Sequence, residues 1–336
     1  LMDRWTQAAR MMSSLGIPLV QGLRMLVNGP SGQLVQIPEP DEDCVMEPGQ
    51  NLRQTLDILA GKVPVSIPEL PSRLDALMRP YQKEGFSFLY RITEQGFGAC
   101  LADDMGLGKT LQAIAWLDAL RRKGRLEGLP ALIVAPASLL SNWKEEAQRF
   151  APELILRIMH PSSPDPWQPE NTLRRKDCHA VITTYGMAAR TSALADLHFP
   201  AIILDEAQAI KNAGSARSRA IRSLHGERRI ALSGTPVENN LNELWSLMEF
   251  LNPGLLGSRK SFESFTRSLE RGYAPLRRLV RPFILRRMKT DPALVPDLPD
   301  KMEIPAYCSL TPEQAALYQA QIDMLHADRK STRLNS

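Results

Sequence analysis

A short apolar run, a glycine-containing loop and a helical pattern follow one another between Gly98 and Arg122. The loop has the sequence DDMGLGKT over residues 103–110. This order is typical of a phosphate-binding loop, because glycines let backbone N–H groups approach phosphate oxygens and the helix start adds positive charge. Lys109 would supply a full positive charge to the β- and γ-phosphates, and the Thr110 hydroxyl would coordinate Mg²⁺. The segment therefore predicts an α/β nucleotide-binding fold, with a chance Gly-Lys-Thr at a turn as the alternative.

One position of this loop departs from the general phosphate-loop pattern. The pattern has glycine where this chain has Asp103, whereas Gly108 and Lys109 are kept. The departure weakens a match based on this segment alone, so the interpretation depends on the residues that come directly after the later strands.

Apolar runs alternate with helical patterns across residues 72–255. Each run is short, as expected for strands buried on both faces of a parallel sheet. The predicted strands are Gly98–Ala102, Leu132–Ala135, Val181–Thr184, Ile202–Leu204 and Arg229–Ser233. The predicted helices are Thr110–Arg122, Leu139–Phe150, Ser215–Leu224 and Leu241–Leu251. Because parallel sheets bind ligands at the carboxyl ends of their strands, we expect the functional residues directly after each strand.

Two carboxylates end the strand predicted at Ile202–Leu204. Asp205 would help to hold Mg²⁺, and Glu206 would orient and activate the attacking water. Adjacent side chains of a strand point to opposite faces, so both can serve one site only at the end of the strand. The alternative is a pair of acids that cap the next helix.

A Ser-Gly-Thr-Pro segment begins at Ser233, directly after another predicted strand. Small hydroxyl residues such as Ser233 and Thr235 could relay the state of the γ-phosphate to a second site. Without its neighbours this segment would be interpreted as an ordinary turn.

Composition excludes several classes of protein. Hydrophobic residues make up 43% and charged residues 23%, as in ordinary globular proteins. The longest apolar runs are far shorter than the ~20 residues of a membrane span, so no membrane partner is expected. The four cysteines form no CxxC pair, which argues against a disulfide framework or a structural zinc. No signal-peptide pattern begins the chain, and we expect a cytoplasmic protein.

The net charge of +4 hides a basic segment. Gly257–Lys289 contains ten basic residues against two acidic ones. Such a cluster is typical of a phosphate-binding surface, with a solvated helical face as the alternative. The basic residues are Arg259, Lys260, Arg267, Arg271, Arg277, Arg278, Arg281, Arg286, Arg287 and Lys289.

Three of these segments together resemble motifs I, II and III of helicase superfamily two. They are DMGLGKT at 104–110, DEAQ at 205–208 and SGTP at 233–236, and their wording is most similar to Swi/Snf-type double-stranded DNA translocases in a bacterial form. Further matching segments lie at 77–85, 133–143, 181–185, 210–212, 239–245 and 283–287. The resemblance covers about residues 74–320. It departs from the family at Gln208, where His is more frequent.

The resemblance implies a RecA-like parallel sheet flanked by helices, with a helical protrusion and a small N-terminal region. It also implies ATP and Mg²⁺ as cofactors and double-stranded DNA as partner. The implied nucleotide contacts are Arg79, Gln82 (the base-reading amide), Asp104, Gly106, Gly108, Lys109 and Thr110. The implied contacts to DNA, or between DNA and nucleotide, are Ser138, Asn142, Thr184, Gln208, Ser233 and Thr235. Trp143 and Trp245 lie on apolar helical periods and are predicted to pack in the core.

Four zones are expected along the chain. They are an N-terminal accessory region and linker (1–72), a first RecA-like lobe (73–255), a basic helical protrusion with a link (256–320) and a tail (321–336), which has the character of a cloning scar. The resemblance also implies a second RecA-like lobe with arginine fingers, and we expect that lobe to be missing from this chain. Since an arginine finger is worth ~10³–10⁵ in rate, we expect very slow ATP hydrolysis by the chain alone.

The resulting hypothesis is the first lobe of an ATP-dependent double-stranded DNA translocase, with a DNA-bound protein as a further expected partner and, in a bacterium, a nucleoid-associated location. One alternative is a strand-separating helicase or RNA-dependent ATPase of the same superfamily. The other is a one-lobed nucleotide- or DNA-binding fragment without turnover.

Overall fold

The structure is a computed structural model that describes residues 58, 63, 65–163, 178–235, 240–268, 273–291, 294 and 311–334. The chain divides into two compact units, Leu1–Leu294 and Val295–Ser336. Most of the predicted N-terminal region, residues 1–72, lies outside the described residues. None of the helices described is long and apolar enough to cross a membrane.

The first unit alternates strands and helices. Its strands are β1 (Ala99–Leu101), β2 (Ala131–Ala135), β3 (Leu156–Met159), β4 (Ala180–Thr184), β5 (His198–Leu204), β6 (His225–Leu232) and β7 (Ile284–Leu285). Its helices are α1 (Ser72–Leu77), α2 (Pro80–Glu94), α3 (Lys109–Arg122), α4 (Leu140–Phe150), α5 (Tyr185–Arg190), α6 (Ala216–Arg222), α7 (Leu241–Leu251), α8 (Arg259–Ser268) and α9 (Ala274–Val280). Short 3₁₀ turns cover Ala137–Leu139, Ser192–Leu194, Ala207–Ile210 and Arg281–Phe283. The second unit contains α10 (Pro312–Leu334).

The seven strands form one sheet in the order β3-β4-β2-β5-β6-β1-β7, and every neighbouring pair is parallel. The register aligns Ile133 with Ile203 and Ile203 with Ile230. Helices cover the sheet, and the residues of β1 and β2 are fully buried. The predicted fold class, a parallel α/β sheet flanked by helices, is confirmed.

The strand that leads into the phosphate loop is anchored at its start. Gly98 N–H donates to Asn252 Oδ1 at 2.9 Å, and Asn252 Nδ2 donates to Gly98 O at 3.1 Å. A Cβ at Gly98 would collide with the backbone oxygen of Leu251. A glycine here therefore lets the end of α7 approach β1, which sets where the next loop begins.

Two strands differ from the sequence prediction. β3 and β7 were not predicted. β7 lies within the segment expected to be a helical protrusion, and it pairs with β1 at the sheet edge. α10 runs through residue 321, where the expected tail begins, to Leu334. The four expected zones stay a prediction.

Candidate nucleotide site and its hydrogen-bond network

The loops after β1, β5 and β6 lie side by side, because these strands are neighbours in the sheet. Parallel strands end at the same edge, so residues 103–110, the Asp205–Glu206 pair and Ser233 meet there. A Cβ at Gly234 would lie 3.4 Å from Met105 Cγ, so the segment after β6 packs on the phosphate loop.

The phosphate loop uses glycine where its backbone turns left-handed. Gly106 has φ +81° and Gly108 has φ +74°, and a Cβ at Gly108 would collide with the Gln82 amide. Lys109 begins α3, and its Nζ donates to the backbone oxygens of Asp103 at 2.7 Å and Asp104 at 3.3 Å. The ammonium group is thus held inside the loop, next to the start of a helix.

Gln82 connects α2 to this loop. Its Oε1 accepts from Arg79 N–H at 2.9 Å, and its Nε2 donates to Leu107 O at 3.2 Å. The side chain is buried and both ends of its amide are engaged. Its role in reading the adenine base stays a prediction.

Asp103, the departure from the general pattern, forms a buried ion pair with Arg287. Arg287 Nη2 lies 2.5 Å from Asp103 Oδ2, and Nε donates to Oδ1 at 3.0 Å. The same guanidinium also donates to Tyr81 O and to Gln112 Oε1, the latter at 2.9 Å. Arg287 was predicted as part of a basic surface, and that interpretation is wrong because its side chain is buried and paired.

Asp205 uses all of its polar atoms. Its N–H donates to Val134 O at 2.8 Å, and its Oδ1 accepts from Glu206 N–H at 2.9 Å. Its Oδ2 accepts from Trp143 Nε1 at 2.7 Å, and its backbone oxygen accepts from Tyr185 Oη at 2.7 Å. The residue is therefore held from several directions.

Burial raises the pKa of Asp205, and the indole N–H of Trp143 opposes that shift. The Glu206 carboxylate also raises this pKa, while the Lys109 ammonium lowers it. Burial, followed by the two neighbouring carboxylates, raises the pKa of Tyr185 well above its usual value. The phenol therefore remains a hydrogen-bond donor at neutral pH.

Glu206 has φ +50°, the one positive φ of a non-glycine residue in the described ranges. Side chains adopt this region at an energetic cost, and such strain is often found at functional sites. This left-handed turn directly follows Asp205, and the Glu206 carboxylate lies close enough to raise the pKa of Asp205. Two adjacent carboxylates can therefore serve one site.

A chain of hydrogen bonds joins the carboxylates to the segment after β6. Gln208 Nε2 donates to Glu206 Oε2 at 2.5 Å, and Ser233 Oγ donates to Gln208 Oε1 at 2.9 Å. Thr235 N–H donates to Ser233 Oγ at 3.2 Å, and the Thr235 residue is exposed. Gln208 both donates and accepts here, as expected for an amide in place of histidine.

The predicted DNA-contacting residues follow β2 and β4, which lie on the same side of β5 in the sheet. Ser138 is exposed in the 3₁₀ turn Ala137–Leu139, and Asn142 is exposed in the first turn of α4, where its Nδ2 donates to Glu146 Oε1 at 3.0 Å. Thr184 Oγ1 accepts from Met187 N–H at 3.2 Å and caps α5. These three residues therefore lie at the carboxyl ends of the strands, as the carboxylate pair does.

Sequence reasoning missed four residues that hold the site. The packing predicted for Trp143 is confirmed, but its bond to Asp205 was not foreseen. Tyr185 lay inside a resembling segment without an assigned role. Gln112 is fully buried and donates to Gly108 O at 3.2 Å. For Arg287 a signal existed, since an acid such as Asp103, directly after a buried apolar strand, requires a cation.

The residues at this edge suit Mg²⁺ held together with a nucleotide. Among the residues described, no group of three or more His, Cys, Asp or Glu side chains could bind a metal by itself. Mg²⁺ is usually bound through one or two carboxylates plus substrate phosphates. A hydroxyl (Thr110) and a carboxylate (Asp205) next to the phosphate loop match that pattern.

Known proteins are similar to this chain in sequence and fold. Residues 81–335 match the model of the SNF2-related domain. The chain is 45% identical over 249 residues to YwqA of Bacillus subtilis (strain 168), whose name describes a candidate ATP-dependent helicase/translocase. It is 39% identical over 272 residues to the chromatin-remodeling ATPase INO80 of Vanderwaltozyma polyspora. These alignments cover 72% and 75% of this chain but only 27% and 17% of the relatives.

Solved structures give the same result. The SWI2/SNF2 ATPase core of Sulfolobus solfataricus in complex with double-stranded DNA is 42% identical, with a TM-score of 0.62. The match covers 80% of this chain and 56% of that one. Since the family model spans most of the chain and the sheet has the same fold, this chain belongs to the SNF2-related domain family.

Proposed function

We propose that the chain is the first motor lobe of an ATP-dependent double-stranded DNA translocase that couples Mg-ATP hydrolysis to movement along DNA. The hydrogen-bond chain from Glu206 through Gln208 to Ser233 carries this proposal. It joins the residue suited to orient water with a segment that packs on the phosphate loop. A change at the γ-phosphate could therefore reach the loop after β6.

Each residue of the site has a specific part in this function. Lys109 places a positive charge against the β- and γ-phosphates. Thr110 and Asp205 would hold Mg²⁺, which supplies positive charge to the phosphate oxygens when bound. Glu206 would orient the attacking water, with its carboxylate fixed by Gln208. Arg79 and Gln82 would contact the adenosine part of ATP.

DNA would bind along the exposed residues that follow β2 and β4. Ser138 offers a hydroxyl just before α4 and Asn142 an amide in its first turn, and such groups contact phosphates without reading sequence. The DNA complex of the archaeal relative supports this proposal. We further propose a cytoplasmic protein whose motor acts on a DNA-bound protein.

The first test is binding of a fluorescent, non-hydrolysable ATP analogue in Mg²⁺. Lys109→Ala should weaken binding about 10- to 100-fold, because it removes a charge-assisted hydrogen bond. Lys123→Ala is the matched control, since Lys123 is exposed at the opposite end of α3 and should leave binding unchanged. Equal affinities of wild type and Lys109→Ala would contradict the proposed nucleotide site.

Titration with nucleic acid separates the translocase from its alternatives. Duplex DNA should tighten nucleotide binding more than single-stranded DNA or RNA does. Preference for single strands, together with separation of a forked duplex, would favour the helicase alternative. A nucleotide affinity that no nucleic acid changes would favour a binding fragment.

A further inference from the structure

We propose that Trp143 and Tyr185 are positioning residues that transmit DNA binding to Asp205, an inference that rests on the function proposed above. Each aromatic residue directly follows a predicted DNA contact. Trp143 follows Asn142 at the start of α4, and Tyr185 follows Thr184 at the start of α5. Neither aromatic side chain would touch DNA or nucleotide itself.

The two residues hold different atoms of Asp205. The indole Nε1–H of Trp143 donates to the carboxylate oxygen Oδ2, and the phenol O–H of Tyr185 donates to the backbone oxygen, each at 2.7 Å. Trp143 is 0% exposed and Tyr185 is 5% exposed. Water therefore cannot easily replace either donor, and losing one would leave a buried polar atom without its partner.

Close packing makes these contacts suitable for transmission. Interiors are packed as densely as organic crystals, so a buried ring moves with the helix that carries it. The N–H of Asp205 is fixed to Val134 O in β2, which leaves the carboxylate as the group that can respond. A shift at the start of α4 would therefore reorient the Asp205 carboxylate through Trp143.

Thermodynamic linkage makes this coupling measurable from either end. If DNA binding improves the position of Asp205, DNA must tighten Mg-nucleotide binding, and Mg-nucleotide must tighten DNA binding by the same factor. Because Asp205 acts on the nucleotide through Mg²⁺, nucleotide binding without Mg²⁺ should not depend on the two aromatic donors.

The test uses Tyr185→Phe and Trp143→Phe in the full chain. Affinity for a fluorescent, non-hydrolysable ATP analogue is measured in Mg²⁺ and in EDTA, each with and without a short DNA duplex. Loss of a group that orients a metal-binding residue typically costs about 10-fold or more in metal affinity. We expect a loss of about this size in Mg²⁺ for each variant and wild-type affinity in EDTA. The factor by which DNA tightens binding should fall towards one.

Two controls remove the same atoms elsewhere. Tyr90→Phe deletes a buried hydroxyl that pairs with Lys123, and Trp116→Phe deletes an indole whose Nε1 donates to Thr93 Oγ1 at 3.1 Å. Both should keep the wild-type response to Mg²⁺ and to DNA. If Trp143→Phe fails to fold, Tyr185→Phe carries the test alone, because it keeps its ring.

The outcomes separate this inference from the proposed function. If Mg²⁺ and DNA change the nucleotide affinity of Tyr185→Phe and Trp143→Phe as they change that of the wild type, the positioning role is overturned. A loss that is equal with and without DNA, or a wild type that does not respond to DNA, would overturn the transmission. A wild type that binds nucleotide no better than Lys109→Ala would instead refute the proposed function itself.

Discussion

At the scale of a single residue, Asp103 connects the phosphate loop to the segment that follows β7. Its backbone oxygen accepts from Lys109, and its fully buried carboxylate pairs with Arg287, which lies 184 positions along the chain. Buried ion pairs add little net stability, because both charges lose their hydration. Removing only one partner of such a pair is costly, because the other charge then stays buried without compensation. The pair therefore fixes where the loop sits relative to β7.

Replacing one partner should reveal that cost. We predict that Arg287→Met lowers the free energy of unfolding by about 3–5 kcal/mol, since Asp103 would then be buried without its cation. The double variant Asp103→Leu/Arg287→Met should regain much of this loss, because no buried charge remains. Urea unfolding followed by circular dichroism measures both differences.

An exposed ion pair provides the matched control. Arg259 is 46% exposed and its Nε lies 2.9 Å from Glu263 Oε1. Arg259→Ala should change stability by no more than about 1 kcal/mol. A double variant as unstable as Arg287→Met alone would show that the contacts of Arg287 to Tyr81 and Gln112, not the charge of Asp103, explain the loss.

At the scale of elements, burial on both faces made the central strands predictable. β1, β2, β4, β5 and β6 all overlap predicted apolar runs. β3 was missed because it is an edge strand whose middle residues, Arg157 and Ile158, are only half-buried. β7 has two residues and exists through its pairing with β1, so no local pattern could indicate it.

The four helices predicted between the strands match α3, α4, α6 and α7 to within two residues at each end, because their periodicity is local. Contacts between distant residues had no local signal. The Trp143 indole meets Asp205 across 62 positions, and Arg287 meets Asp103 across 184. Sequence reasoning could therefore name the chemistry of the site but not the side chains that hold it in place.

His179 links the edge strand β3 to the sheet and should make its docking sensitive to pH. Its Nδ1 accepts from Ile155 N–H at 3.0 Å, and its backbone N–H donates to Ile155 O at 2.8 Å. Burial lowers the pKa of His179, and the nearby charge of Arg121 lowers it further, while Asp118 opposes the shift. A protonated Nδ1 could no longer accept from Ile155.

Proton binding to His179 sets the direction in which pH changes the stability of the fold. The folded pKa lies below the unfolded value of about 6.5, so the unfolded chain binds more protons between these two values. We predict that stability falls as pH falls through this window and that His179→Asn, which keeps an acceptor but does not titrate, falls less. Urea unfolding at pH values of about 7.5 and about 5.5, on either side of the unfolded pKa, compares the two proteins. An equal loss of stability between these two pH values in the wild type and in His179→Asn would contradict the prediction.

At the scale of the whole molecule, the strand order explains why the carboxyl ends of the strands could bind two ligands. The residues predicted to contact nucleotide follow β1, β5 and β6, and those predicted to contact DNA follow β4 and β2. β5 is the strand of the first set that neighbours the second set, and Asp205 directly follows it. Two buried side chains, Trp143 and Tyr185, connect the segments after β2 and β4 to Asp205 by hydrogen bonds.

The last prediction concerns the positive charge of the basic segment, Gly257–Lys289. Seven residues of the basic segment are exposed, and two of them, Arg286 and Lys289, lie past the carboxyl end of β7, where Lys289 N–H donates to Asp104 Oδ2 of the phosphate loop at 3.0 Å. DNA that contacts them would extend along the carboxyl ends of the strands beyond the residues that follow β2 and β4. If both contact DNA phosphates, Arg286→Ala/Lys289→Ala should reduce the slope of log affinity against log salt by about 1.8, since each phosphate contact contributes about 0.9.

The control Lys123→Ala/Arg125→Ala removes the same net charge from exposed residues that follow α3, at the opposite ends of the strands. Fluorescence anisotropy with duplex DNA over a salt series measures both slopes. A slope that changes equally in the two variants would show that net charge alone acts, and an unchanged slope in the first would remove these residues from the DNA interface.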